Sequence, residues 1–589
     1  SEFYLAEIVN RPDLLQSLIP AVLFLTSNPD TAIAEVSFVF WAELQMIVES
    51  NSSSMDVFVP VFENVFKILL PKLQFKGGHV SAEERERFRD FRHVIGDCLK
   101  DCCRVIGSTG TVELISAAFH QASTVVNQWQ PVEAVLFALR SVSSIIDRRE
   151  SEQLPILYPI ILGLKSPHPR LVYAILLVIG CLSDWLLYHA DFILPSLEYI
   201  VGGLTCPEDT MDPEVELRAA AAMALRYLCE SCPNQMLKYG DQLIVLYGQL
   251  LKSGKLDKED QLSLTESICH VLVADGADIN LLLPKAIEPV SKDLQMLIND
   301  REAIDTCLEH LALYVEMVIP DATSMLNINH PMVRYFVTIV QPLLPSICRC
   351  HHHLNGLSAI MKAAVSRYSR CLGQEWLSQL VEMCQGLYME GVFDQAVYTL
   401  RYIVLLGECN NMVRTLIINH FSMNLSVYAK QRLDLYNLAT SMYDYWRGNG
   451  LSLSLKTNLC LLSVDTCSDQ SAAVNEVSAC IIMLIRMSTC EQVLMEEYWR
   501  AVRAIMHSCL VSANSQVQSD CAVLLHRLGK RSPDHVINLF KTVLHDLTVL
   551  TTREQEHWVG VFNMSIMEPR PKPVKTMLIS LSEVCKRRL

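Results

Sequence analysis

Cys348, Cys350 and the run His351, His352 and His353 place two thiols and three imidazoles within six positions, in the stretch "ICRCHHHLNGL". Thiolate sulfur and imidazole nitrogen are zinc donors, so the first chemistry these residues suggest is a metal site. Zinc takes about four such donors in a tetrahedron. Cys348 and Cys350 stand two apart and diverge on a helix, and three adjacent histidines cannot converge on one ion from regular backbone. No C-x-x-C or H-x-x-x-H partner stands nearby. The plainer reading is a helix end with exposed histidines, where positive charge suits the negative end of the helix dipole. No metal is expected there; a metal-dependent enzyme centred on Cys348–His353 is the rival that elemental analysis would end.

Other reactive patterns are missing as well. The sequence contains no G-x-x-x-x-G-K-[ST] phosphate loop, no H-E-x-x-H and no G-x-S-x-G, which removes the commonest signatures of nucleotide binding, zinc proteolysis and serine hydrolysis. "GSTGT", Gly107 to Thr111, falls between two predicted helices and reads as a turn between repeats. The 21 cysteines, among them Cys98, Cys102, Cys103, Cys181, Cys229 and Cys232, lie in apolar segments without disulfide-framework spacing. Most of them read as small core residues of a protein in a reducing compartment. The vicinal pair Cys102–Cys103 would need a depressed pKa to act in redox chemistry. No catalytic residue and no cofactor is predicted, and the chain reads as a binding protein.

The elements that position these residues follow from pattern. The chain has 589 residues, 51% of them hydrophobic and 19% charged, a composition for a largely buried chain rather than a disordered one. Its most apolar stretch, Leu171 to Leu182, is twelve residues long, short of the ~20 needed to cross a bilayer, and reads as a buried helix. The net charge of −15 disfavours phosphate backbones and suits a basic protein partner. Segments of helical periodicity follow one another without a convincing run of alternating strands. Thr31–Val48 is one such segment, with Ile33, Val36, Phe40, Leu44 and Ile47 on its predicted buried face, preceded by the capping turn Asn28-Pro29-Asp30.

The helices come in pairs. An apolar residue followed by proline recurs at Pro20, Pro60, Pro155, Pro195, Pro284 and Pro345. Pro20 to Pro60 and Pro155 to Pro195 both span 40 residues, the period of HEAT-type helix pairs, of which the chain would hold about thirteen. The predicted fold is all-α: one continuous HEAT array over 1–589, an α-solenoid curved into a superhelix with a concave binding face.

Within that array, "ERFRDFRHVIGDCLKDC", Glu86 to Cys102, resembles the F-R-x-x-R-x-x-(I/V)-x-D-x-L helix of the transportin-SR and importin-13 branch of the importin-β (karyopherin-β) superfamily. Phe88, Arg89, Arg92, Ile95, Asp97 and Leu99 match. "VSFVFW" (Val36 to Trp41), "VEAVLFALRSVSSIID" (Val132 to Asp147) and "IGCLSDWL" (Ile179 to Leu186) agree in order. These motifs mark residues 1–235; 236–589 shows repeat pattern, with a looser likeness in the final helix, and would be the C-terminal arch. Motifs that stand mid-chain in the family begin here near residue 36, which implies the C-terminal two-thirds of a receptor. The resemblance implies a nuclear transport receptor, importing or bidirectional, that shuttles between cytoplasm and nucleus. Its implied partners are the GTPase Ran, protein cargo (SR/RS-rich or basic) and Phe-Gly nucleoporins, with no direct nucleic-acid contact and no membrane. The alternative is a HEAT scaffold for a non-transport enzyme complex.

Three groups of candidate contact residues follow. The loop entering the Glu86–Cys102 helix lies near Ran in the family, which makes Glu83, Glu84, Arg85, Arg89 and Arg92 candidates; the plainer reading is a helix braced by its own pairs, such as Glu83 with Arg87. SR importers resemble one another in an arginine-studded helix that grips phosphoserine, for which this chain offers Lys362, Arg367 and Arg370; the plainer reading is a solvated basic face. Glu208, Asp209, Asp212, Glu214 and Glu216 form an acidic loop able to meet basic cargo. Trp41, Trp129 and Trp185 are expected in the core.

Overall fold

In the computed structural model the described residues are 12–50, 55–75, 81–124, 128–164, 168–207, 216–292, 294–318, 330–350, 354–389, 399–401, 403–404, 417, 432–446, 451, 453–469, 472–490, 495–511 and 514–588. Among them there is no strand. The chain divides into two compact units, Ser1–Lys292 and Asp293–Leu589.

The first unit runs α1 Pro12–Ser27, α2 Thr31–Val36, α3 Phe38–Ser50, α4 Met55–Leu69, α5 Ala82–Ile106, α6 Ser108–Ser123, α7 Gln130–Val142, α8 Leu154–Leu162, α9 Pro169–Cys181, α10 Ser183–Leu186, α11 Ile193–Leu204, α12 Leu217–Ser231, α13 Pro233–Met236, α14 Gly240–Ser253, α15 Lys258–Leu272 and α16 Ile279–Ser291. Local chemistry sets these boundaries. Ser81 and Glu84 form a reciprocal capping box at the start of α5, each satisfying the other's backbone N–H. Asp30 and Asp257 cap α2 and α15. Gly107 ends α5 at φ +84°, a conformation that a Cβ would oppose, so α6 can start at the next residue. "GSTGT" is thus a glycine corner followed directly by helix.

The helices alternate between two rows. In one, α3, α5, α7, α9, α12 and α15 pack each on the next. The other contains the proline-bearing α1, α4, α8, α11 and α16, with α1 on α4, α8 on α11 and α14 on α16. The proline recurrence therefore marks one row of a HEAT stack. Polar contacts between repeats recur at nearly one period: Arg92–Glu133 (41 residues apart), Tyr158–Ser196 (38), Arg226–Glu266 (40) and Asn234–Asp275 (41). Each joins equivalent places on neighbouring pairs.

One predicted helix is corrected. The segment Thr31–Val48 breaks at Ser37, and its buried side is Ala34, Phe38, Trp41, Leu44, Gln45 and Val48. Ile33 and Val36, expected inside, are exposed, Val36 at 73%. The cause is a buried polar relay. The Trp41 indole N–H donates to the Thr26 hydroxyl at 2.9 Å. Thr26 bonds the Ser37 hydroxyl at 2.9 Å, and Ser37 donates to the Ala34 carbonyl. A buried indole N–H must find an acceptor, and satisfying it rotates α3 about one position from the face that apolar spacing alone selects. The mean hydropathy of 1.4 over Thr31–Ser50 comes from exposed side chains such as Ile33, Val36, Val39 and Met46 as well as from the buried face. The α9 helix is buried as expected, Trp41 and Trp185 are core residues, and Trp129 is half-buried.

The second unit contains α17 Leu294–Leu297, α18 Arg301–Val318, α19 Pro331–Tyr335, α20 Gln341–Cys350, α21 Asn355–Met389, α22 Arg432–Trp446, α23 Leu453–Ser468, α24 Val474–Cys490, α25 Glu496–Val511, α26 Ser515–Arg531, α27 Pro533–Asp546, α28 Thr552–Met567 and α29 Lys572–Lys586. The same alternation holds: α22, α24 and α26 form one row and α23, α25 and α27 the other, while α29 packs on both α25 and α26. Where α21 crosses α18, Gly356 lies so close that an added Cβ would collide with the Asp305 carbonyl and the Leu308 side chain. Its N–H donates to the Asp305 carboxylate at 2.6 Å. Only glycine permits that approach.

Candidate functional site

The α5 helix presents two kinds of residue in its first three turns. Glu83 and Arg87 are exposed and 3.6 Å apart, the predicted i,i+4 pair. Glu84 turns back to Ser81, whose backbone N–H and hydroxyl hold its carboxyl below the usual range. Arg85 and Arg89 are exposed. Arg92, one turn further, dips into the stack and is only 5% exposed.

There Arg92 meets α7. One of its terminal nitrogens donates to both oxygens of Glu133, each at 2.8 Å. Its guanidinium carbon lies 4.5 Å from the Phe75 ring centre and 4.0 Å from that of Phe137, so the cation is held by aromatic faces as well as by charge. Phe75 also packs on Phe88 and Trp129, and Trp129 stacks on His168 with ring centres 4.3 Å apart. Arg170, at the start of α9, lies over Phe75 and Trp129. Rings and guanidinium groups thus alternate across three repeats.

Burial dominates the electrostatics of the pair. It pulls the Arg92 guanidinium below its ordinary value and pushes the Glu133 carboxyl up, in each case against the attraction of the partner. Arg170 and Arg140 also act on Glu133, favouring its ionised form. The bonds to the Glu133 carboxylate come from Arg92.

These groups line a cleft of about 820 Å³ on the α5–α7–α9 row, together with Arg85, Glu86, Arg89, His93, Leu136, Tyr173, Ala174, Leu177 and Glu216. Two candidate groups that the sequence kept apart meet here: Arg85, Arg89 and Arg92 from the α5 set, and Glu216 from the acidic loop. Glu83 and Glu84 are not among the lining residues. Glu216 also contributes, after burial and Asp257, to raising the Asp260 carboxyl to about 6. Glu208, Asp209, Asp212 and Glu214 lie outside the described residues.

Sequence reasoning assigned no role to Glu133, Phe137, Arg140, Arg170 or Phe75. Glu133 and Arg140 stand in the quoted motif "VEAVLFALRSVSSIID". A signal was available, because Glu133 follows Arg92 by 41 residues, one repeat period, with opposite charge.

The other candidates are more dispersed. Lys362 and Arg367 are half-buried on α21, and the side chain of Arg370 lies outside the described residues. The α20 helix ends at the exposed Cys350, as read from sequence; His351, His352, His353 and the side chain of Cys348 lie outside the described residues. Among the described residues no group of three or more His, Cys, Asp or Glu side chains is placed to hold a metal ion. Cys102 and Cys103 are buried, and burial pushes both thiols up, the opposite of what thiolate chemistry requires.

No family model matches the chain. Among curated proteins it is 27% identical to the mRNA transport regulator MTR10 of Saccharomyces cerevisiae, over 58% of this chain and 35% of that protein. It is 26% identical to transportin MOS14 of Arabidopsis thaliana, over 46% of this chain and 30% of that one. With importin-13 of Homo sapiens the identity is 24%, over 48% of this chain and 29% of the relative. The matched region spans about a third of the length of these relatives. Among solved structures, importin-13 in its cytosolic state superposes with a TM-score of 0.78 at 15% identity, over 99% of this chain and 72% of that one. That likeness establishes the fold as an all-α, HEAT-type helical solenoid.

Proposed function

From its kinship with the karyopherins of the transportin and importin-13 group, we propose that this chain is part of a nuclear transport receptor that binds protein cargo and loads or releases it under control of Ran-GTP. The observation that carries the reading is the aligned segment shared with these relatives within a two-row helical stack of the same fold. A stack of this kind works by surface complementarity, so the receptor is read as a binding protein without a catalytic step.

In this reading Arg85 and Arg89 are exposed α5 residues that would meet a GTPase, with Glu83 beside them. Arg92 acts behind them by holding α5 against α7. Lys362 and Arg367 are the described part of a basic cargo face on α21. Phe-Gly nucleoporins would be the remaining partners, and the receptor would shuttle between cytoplasm and nucleus. Ran-GTP would act by shifting the population between cargo-bound and cargo-free conformations.

The test uses the full-length protein immobilised and loaded from nuclear extract, with and without Ran-GTP. Release of bound proteins by Ran-GTP indicates import, and retention only in its presence indicates export. Indifference to Ran-GTP would replace transport with the scaffold reading.

A further inference from the structure

The chain as a whole carries a net charge of −15, whereas residues 551–589 hold seven lysines and arginines against four glutamates. Setting aside Arg588 and Glu554, which bond each other, leaves six cations against three carboxylates. We propose that the groove between α28 and α29 binds a segment of a partner protein in which apolar side chains are flanked by Asp or Glu.

The groove holds about 670 Å³. Trp558, Val561 and Met577 give it an apolar lining, and its charged members are Arg570, Lys572 and Glu568. Arg570 and Lys572 are exposed, and neither side chain has a hydrogen-bond or ion-pair partner among the described residues. Both are therefore open to a ligand. They alternate with Pro569, Pro571 and Pro573, whose rings fix φ. The turn is also fastened to α26: the His526 ring bonds the Glu568 carbonyl at 2.7 Å, and Lys530 donates to the Pro569 carbonyl at 3.4 Å. A ligand that pairs with the two cations thus orders little beyond their side chains, which spares much of the usual cost of binding.

The apolar part of the ligand follows from α28. Trp558 and Val561 stand one turn apart, and Met564, a turn further, is 68% exposed. Tryptophan and methionine suit an apolar anchor of adaptable shape. The acidic part follows from the unpaired cations. An anionic membrane or a nucleic acid would spread its charge over much more of a chain that is negative overall, whereas a short segment stays within the screening length of Arg570 and Lys572. Such binding is independent of Ran-GTP and of the transport reading.

The probe is a short fluorescein-labelled peptide with Leu and Phe among Glu and Asp, followed by anisotropy against the full chain. Two reference peptides of the same length each lose one feature, with Ser for the apolar residues or Gln and Asn for the acidic ones. The first peptide is expected to bind, and each reference at least about tenfold more weakly. Arg570→Glu/Lys572→Glu and Trp558→Ala should each weaken the first peptide about tenfold or more. Thermal unfolding of each variant separates loss of the site from loss of the fold. The proposal is overturned if the first peptide does not bind, if the Gln/Asn peptide binds equally, or if a folded charge-reversal variant keeps its affinity. Capture of phosphatidylserine and phosphatidylcholine vesicles without peptide binding would instead make this a membrane surface. Self-association that the charge reversal abolishes, again without peptide binding, would assign the groove to a second copy of the chain.

Discussion

Two arginine–glutamate pairs, one in each unit, have the same chemistry and opposite surroundings. Arg92 and Glu133 meet at 2.8 Å with side chains 6% and 10% exposed. Arg588 and Glu554 also meet at 2.8 Å, with 43% and 35% exposure. In the first pair burial raises the carboxyl of the glutamate. In the second, the bonds from Arg588 and from Thr551 hold it down at about 2. Equal distances thus go with opposite shifts, because removing both charges from water costs more than their attraction returns. At the surface that cost is small and so is the net contribution. The buried pair specifies how α5 sits on α7; the exposed pair ties Arg588, just after α29, to the capping box of α28, where Glu554 already accepts from Thr551.

The largest effect is expected from Arg92→Ala. It leaves Glu133 buried without its cation and opens space between Phe75 and Phe137, so a loss of about 3–5 kcal/mol is expected in denaturant unfolding. The double variant Arg92→Met/Glu133→Leu keeps volume while removing both charges, and should recover most of that loss. A double variant as unstable as Arg92→Ala would show that the charges, and not only the packing, hold this interface.

An intermediate effect lies in the pH dependence, where the pairs should slope in opposite directions. Glu133 has a folded value above its ordinary 4.5, so its contribution is fully present below 4.5 and is lost as pH rises through the folded value. Glu554, depressed from 4.5 to about 2, contributes above 4.5 and loses that contribution as pH falls toward 2. Comparing Glu133→Gln and Glu554→Gln with the unaltered chain in a pH series of unfolding midpoints should remove one slope each, of opposite sign. Slopes of the same sign would break the contrast.

The smallest effect is expected from Arg588→Ala. Its shift in midpoint should be the least of the series and should vanish in about 0.5 M salt, where exposed charges are screened beyond a few ångströms. A salt-insensitive loss would mean that Arg588 acts through its bond to the Val549 carbonyl instead of its charge.

Much of this architecture could be read before any coordinates. Helical periodicity, the Pro20 to Pro60 and Pro155 to Pro195 spacing, the Asn28-Pro29-Asp30 capping turn and the apolar settings of most cysteines are local properties. They depend on residues within a turn or two, or on a repeat that copies itself. The α9 helix was legible for the same reason. The face of α3 was not, because the acceptor that Trp41 needs stands on another helix, at Thr26.

The sequence by itself determined a stack of paired helices with a core rich in cysteine and apolar side chains, and a resemblance carried by the α5 motif. Tertiary structure decided which arginines are bracing and which are available. Arg89 and Arg92 belong to one motif three residues apart, yet one is exposed and the other closed in by Phe75, Phe137 and Glu133. Periodicity is a property of neighbours in the chain. The free energy of a charge depends on what is packed around it, and those groups come from other repeats.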